Sequence, residues 1–174
     1  MKYSEAVKVS MENLSSIDDV RFMGYNLKYG SMSYGSLTRI DPTKIIELPV
    51  AEQLMAGLAI GMSLQGFLPV LIFERHDFLL LAADQLINHL SKIRTMSKGE
   101  FAPKVIIRAI VGGTKPFHPG PQHTQNFTDL IRNHTTFAVY EPETSEDVIS
   151  AYTAAMDDPK SSFISEARDK YGND

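Results

Sequence analysis

Residues 44–73 read KIIELPVAEQLMAGLAIGMSLQGFLPVLIF, and this stretch decides the fold. Lys44-Ile45-Ile46-Glu47-Leu48 is a β-branched run closed by Pro49, which has no N–H to donate to a strand ladder. Residues 50–65 are long and apolar enough for a helix, and Pro69-Val70-Leu71-Ile72-Phe73 makes a second strand. Near-continuous Val/Ile runs suit strands covered on both faces. Strand, helix and strand in succession are the unit of parallel sheets, whose neighbours need a crossover connection.

The same alternation continues outward. Toward the C-terminus the sequence predicts helix 78–95, strand 104–110, a helical turn near 127–133, strand 136–140, helix 145–157 and strand 161–165. Thr144, with Asp147 three residues on, resembles a capping box for the last helix. Toward the N-terminus, Tyr3, Val7, Met11 and Leu14 stand at helical spacing, and Val20 to Met23 is a short strand. Residues 26–42, with Gly30, Gly35 and Pro42, form an irregular connection. The expected class is α/β: a three-layer domain with a mainly parallel sheet and helices on both faces, one domain over residues 1–174. Function in such sheets gathers beyond the carboxyl ends of the strands, here segments 49–53, 74–78 and 111–125.

Composition narrows the function classes. A chain of 174 residues, 43% hydrophobic and 22% charged, has the makings of a globular core. A net charge of -4 with scattered Lys and Arg argues against a nucleic-acid surface. The sequence has no cysteine, so disulfides and thiolate chemistry are excluded. The N-terminus has no apolar signal region, and the apolar run Phe78 to Ala83 is too short to span a bilayer, so a cytoplasmic protein is expected.

Glu52 falls in the first turn of the helix after Pro49. The helix macrodipole alone would favour an acid there. The residues that follow, Leu54 to Met62, are apolar almost all round, which marks a buried helix and suggests a buried carboxyl able to exchange a proton near neutrality. Gly57 and Gly61 lie on one face of that helix at about 1 kcal/mol each relative to alanine. Close approach of another backbone would compensate, either within the domain or from a second subunit. Glu74-Arg75-His76-Asp77 is a charged strand exit before Phe78, consistent with a solvated turn and a core aromatic. In the Gly/Pro-rich loop 112–125, His118 and His123 lack a third ligand at a familiar spacing, so no metal site is expected, and His123 is the better candidate for a polar catalytic group. The Gly-Gly pair matches neither dinucleotide nor P-loop patterns.

In order, these segments resemble the beta subunit of the decarboxylating component of 2-oxo-acid dehydrogenases (pyruvate dehydrogenase type), and more broadly the transketolase-like pyrimidine-binding domain, the pyrimidine module of the thiamine diphosphate-binding fold. The likeness runs through Val20-Arg21-Phe22-Met23-Gly24, Ile45 to Glu52, Ala59 to Val70, Phe78 to Asn88 with Asp84-Gln85, and Gln122-His123-Thr124-Gln125. It implies a split enzyme acting on a ketone or 2-oxo acid with thiamine diphosphate. Glu52 matches the glutamate that bonds the aminopyrimidine N1′ and so promotes loss of the thiazolium C2 proton. Phe78 matches an aromatic packed on the pyrimidine, the backbone of Glu74 a contact to the 4′-amino group, and His123 a histidine near the reactive carbon.

The diphosphate and magnesium motif, Gly-Asp-Gly followed by Asn, does not occur in this sequence. The resemblance therefore assigns the diphosphate and Mg2+ to an alpha-type partner in an alpha2beta2-like assembly, with the chain inactive alone. The usual C-terminal domain of the beta subunit is likewise not in residues 1–174. Two departures stand out. Tyr25 replaces a customary acidic residue, and Glu74 to Asp77 replaces an apolar stretch, which favours a smaller transketolase- or decarboxylase-type enzyme over a lipoyl-linked dehydrogenase. They also motivate the alternative of a non-catalytic regulatory or scaffolding subunit.

Overall fold

The computed structural model describes residues 1–114 and 117–172; Lys115 and Pro116, inside the predicted loop 111–125, and Asn173 and Asp174 lie outside the described residues. Helix α1 (Tyr3–Ser15) buries the stripe Tyr3, Val7, Met11 and Leu14 and leads to strand β1 (Val20–Gly24). Strand β2 (Ile45–Glu47), helix α2 (Glu52–Leu64) and strand β3 (Leu68–Phe73) follow as the sequence predicts. The predicted helix 78–95 is a succession of pieces: a tight turn at His76–Phe78, α3 (Leu79–Asp84), a wide turn at Gln85–Leu90 and α4 (Ile93–Met96). The wide turn closes with Ser91 N–H donating to Leu86 carbonyl, a five-residue step. The Ser91 hydroxyl meanwhile accepts from Thr136 N–H at 2.9 Å, fastening this end to the approach of the fifth strand.

The remaining elements are β4 (Ile106–Val111), α5 (Thr128–His134), β5 (Ala138–Tyr140), α6 (Ser145–Asp157) and β6 (Ser162–Ala167), with a last tight turn at Arg168–Gly172. The Thr144–Asp147 capping box is present in both directions. Six strands pair in the order β2-β1-β3-β4-β6-β5, all parallel. Their two faces carry separate apolar clusters. One joins α1, α6 and Tyr171 to Val20, Phe22, Val70 and Ile164; the other joins α2, α3 and α5 to Met23, Leu71, Phe73 and Phe163.

Two findings correct or extend the sequence-based expectations. Helix α2 is not buried all round: Glu52, Met55, Ala56 and Ala59 face the sheet, while Leu54 is 54% exposed and Leu58 37%. A Cβ built on Gly57 or Gly61 meets nothing within 4 Å, so neither glycine serves packing inside this fold. Apolar residues beyond the buried face show that this helix has a second side, which periodicity cannot assign to a partner.

The connection 26–42 is irregular but strongly held. Met32, Ser33, Tyr34 and Gly35 have successive left-handed φ values of 48°, 50°, 57° and 75°. Such a turn costs roughly 1–2 kcal/mol for each non-glycine residue and needs outside support. Arg108 of β4 supplies it, donating from Nη1 to the Ser33 and Ser36 hydroxyls at 2.9 and 2.7 Å. Its Nε and Nη2 bind the Glu166 carboxylate of β6, which also receives the Tyr152 and Tyr171 hydroxyls. Arg108 and Glu166 are both fully buried.

Candidate active site

Strand order reverses between β1 and β3, because the chain leaves β1 for β2 on one side and returns to β3 on the other. A crevice opens at the carboxyl ends of strands at such a reversal. Three segments lie there: Gly24-Tyr25 at the end of β1, Glu52 after β2, and Glu74 to Phe78 after β3.

Glu52 is 4% exposed at the first turn of α2. Its Oε1 accepts from the Tyr25 hydroxyl at 3.4 Å. Burial, then the charges of Glu52 and Glu74, push the Tyr25 phenol far above its ordinary value, so it stays a donor. The Tyr25 ring lies 6.2 Å from that of Phe78, and Phe78 lies 5.9 Å from the His123 ring at 88°. Glu52, Tyr25, Phe78 and His123 thus form one contiguous chain, although they come from four separate segments.

Glu74 holds the neighbouring loop with its side chain, accepting from Asn26 Nδ2 at 3.2 Å and from the Ser31 hydroxyl. Its carbonyl accepts Arg75 Nη1 at 2.8 Å. Glu47, last residue of β2, fixes the start of the loop by accepting the N–H groups of Asn26, Leu27 and Lys28 at 2.7–2.8 Å. His123 is placed by Gly112: a Cβ there would fall 1.6 Å from the His123 carbonyl oxygen. Gly112→Ala should therefore expel the His123 loop from its seat at about 1–3 kcal/mol. A lowered melting temperature with shifted His123 ring resonances is the expected result; unchanged resonances would rule out this seating.

His76 is fully buried. Its Nδ1 accepts from Phe127 N–H at 3.1 Å and its Nε2 faces the Ser165 hydroxyl at 3.2 Å, tying the β3 exit to the far loop. Burial lowers its pKa from 6.5 to about 4. The folded state then favours the neutral ring, and the unfolded chain binds the proton more readily. The stabilisation is complete above pH 6.5 and disappears as pH falls toward 4, with about 2 kcal/mol lost between pH 7 and pH 5. Urea unfolding at those two pH values should show this loss, and His76→Gln should remove most of it.

Sequence reasoning named Glu52, Phe78, Glu74 and His123 but missed Tyr25 as a site group, noting only its departure from pattern. It also missed Tyr34, Arg75 and Arg168, which come together at the same edge. His118 is turned to its own loop, accepting Gly120 N–H at 3.0 Å. Among the described residues there is no group of three or more acids or histidines able to hold a metal, and no helix is long and apolar enough to cross a membrane. A cleft of about 410 Å3 bordered by Ser91, Arg94, Lys98 and Ser161 lies at the opposite end of the sheet.

Comparison with known proteins shows the family of the chain. Residues 2–173 match the model for the transketolase, pyrimidine binding domain. The chain is 30% identical to the mitochondrial pyruvate dehydrogenase E1 component subunit beta of Saccharomyces cerevisiae, over 99% of this chain and 48% of that protein. It is 25% identical to the 2-oxoisovalerate dehydrogenase subunit beta of Bacillus subtilis, over 91% and 49% respectively. The chain spans about half the length of the curated relatives it matches. Among solved structures, a split gene transketolase, described as an inactive beta4 tetramer, superimposes with a TM-score of 0.76 at 18% identity, covering 97% of this chain and 52% of that one.

Proposed function

The chain belongs to the transketolase pyrimidine-binding domain family, and from that premise we propose that it is the pyrimidine-holding, proton-handling half of a split thiamine diphosphate enzyme acting on a ketone or 2-oxo acid. The observation that carries this is a buried carboxyl, Glu52, held at the strand-order reversal and linked through Tyr25 to Phe78 and His123.

The residues suit the cofactor's aminopyrimidine. Glu52 offers a carboxyl to a ring nitrogen, Phe78 an apolar face, and the Glu74 carbonyl, with two lone pairs, can take an amino hydrogen besides the Arg75 N–H. When bound, thiamine diphosphate supplies the carbon nucleophile and the electron sink for bond cleavage beside a carbonyl. The protein's share is to position and to move a proton. Tyr25 fixes the orientation of the Glu52 carboxyl by donating to Oε1. Phe78 keeps the ring in an apolar slot, and His123 stands beside it as a polar group for the substrate oxygen.

The diphosphate and its Mg2+ fall to an alpha-type partner subunit, since no Gly-Asp-Gly motif occurs in this sequence. The outer side of α2, with Leu54, Leu58 and the open Gly57 and Gly61, supports burial against further subunits in an alpha2beta2-like assembly. Calorimetry tests the proposal. Thiamine diphosphate with Mg2+ should give a saturable heat with the chain and its co-purified partner and little with the chain alone. No heat with the complex would leave the scaffolding role instead.

A further inference from the structure

At the amino end of the sheet, away from Glu52, the cleft of about 410 Å3 opens between α4, the residues that enter β4 and β5, and the connection from α6 to β6. Its volume is that of a small-molecule site. The floor is largely apolar: Leu90 is 5% exposed, Pro103 is buried and Phe137 is half-buried. Two hydroxyls of the floor are fixed by the backbone. Ser91 accepts from Thr136 N–H at 2.9 Å and Ser161 accepts from Val105 N–H at 3.1 Å, so the hollow is preformed.

The mouth is cationic. Arg94, Lys98 and Lys160 border it, and among the described residues none of the three forms a salt bridge. No acid lines the cleft. Asp158, the acid nearest Lys160 along the chain, accepts the Lys160 N–H at 2.8 Å. Lys98 has a left-handed φ of 55°, a conformation that costs a lysine energy, and the next N–H, that of Gly99, closes on the Arg94 carbonyl at 2.7 Å. This turn brings Lys98 to the mouth beside Arg94. The wide turn Gln85–Leu90 also ends on the cleft, and such turns inside helices are frequent at functional sites.

We propose that this cleft is a binding site for a small organic anion that carries a flat ring, the ring lying on the Leu90 and Phe137 floor and the acidic group at the three cations. A neutral ring would leave the cations without a counter-charge, and a bare inorganic anion would leave the apolar floor wet. Both parts of the hollow are matched only by a ligand that has both. Because the cleft and Glu52 stand at opposite ends of the strands, this ligand is not the substrate of the Glu52 site, and the inference does not depend on the proposed function.

The test is a titration of the 15N-labelled chain at constant ionic strength, with AMP in one arm and 1-naphthoate in the other, following backbone amide signals. The Ser91, Gly99 and Lys160 signals should move together along one saturable curve, while those of Leu54 and Leu58 on the exposed side of α2 stay in place. Tighter binding of AMP assigns a nucleotide, and tighter binding of 1-naphthoate an aromatic carboxylic acid. Adenosine and naphthalenemethanol, which lack the charge, should bind about tenfold or more weakly than their anions. Arg94→Glu and Lys160→Glu should each weaken the anions by a similar factor, and both side chains are exposed, so the fold survives the change. Lys92→Glu, on a residue close in sequence that does not line the cleft, should have no effect. No saturable shift with either anion, shifts centred on α2, or an equal loss in Lys92→Glu would overturn the proposal.

Discussion

Glu52→Gln is expected to lower turnover of the partnered enzyme by about 10²–10⁴-fold, the usual loss when a positioned proton donor and acceptor is removed. Glutamine has the same shape and its carbonyl can still accept from Tyr25, so the bond at the head of α2 survives. Its amide cannot exchange a proton with a heterocyclic nitrogen. The thermal midpoint should consequently stay close to wild type while turnover collapses. Tyr25→Phe separates orientation from proton exchange, because it removes the donor and leaves the acid; a smaller loss of rate is expected there. Turnover of Glu52→Gln within a few-fold of wild type would refute the assignment.

Glu166→Ala is expected to cost about 3–5 kcal/mol, the penalty for leaving a buried charge without its counter-ion. Arg108 is fully buried, and Glu166 accepts from it and from Tyr152 and Tyr171. Because whole-domain stability is about 5–15 kcal/mol, this change takes a large share of it. The loss should extend to the loop 31–36, since Arg108 also holds Ser33 and Ser36 in the left-handed turn. Hydrogen exchange would detect it as faster exchange at Ser36 and Leu37, whose N–H groups close that turn. Replacing both charges, Arg108→Met with Glu166→Leu, should recover much of the global stability but not the protection of the turn. Equal exchange in wild type and Glu166→Ala would show that the turn does not depend on the pair.

Much of this was legible in the sequence where local chemistry decides the outcome. Val/Ile runs fixed the strands, Pro49 set the break before α2, and Thr144 with Asp147 marked the start of α6. Glu52 could be singled out because an acid before an apolar helix is conspicuous. What escaped depends on contacts distant along the chain. The left-handed turn at 32–35 contains only one glycine and is held by a residue of β4. Arg75 and Arg168 become neighbours only when β3 and β6 flank β4. The outward side of α2 misled for another reason: apolar composition alone does not separate a buried face from an exposed one, and Leu54 and Leu58 are exposed.

The buried Arg108–Glu166 pair has a further consequence for how the molecule is made. Arg108 lies on β4, one of the two central strands of the sheet, between β3 and β6, yet its counter-ion is synthesised 58 residues later. At roughly 5–20 residues per second on the ribosome, the nascent guanidinium waits about 3–12 s for its acid. During that interval β4 cannot settle into a dry interior, so partial chains stay open and the final strand acts as the latch that commits the polypeptide to its native form.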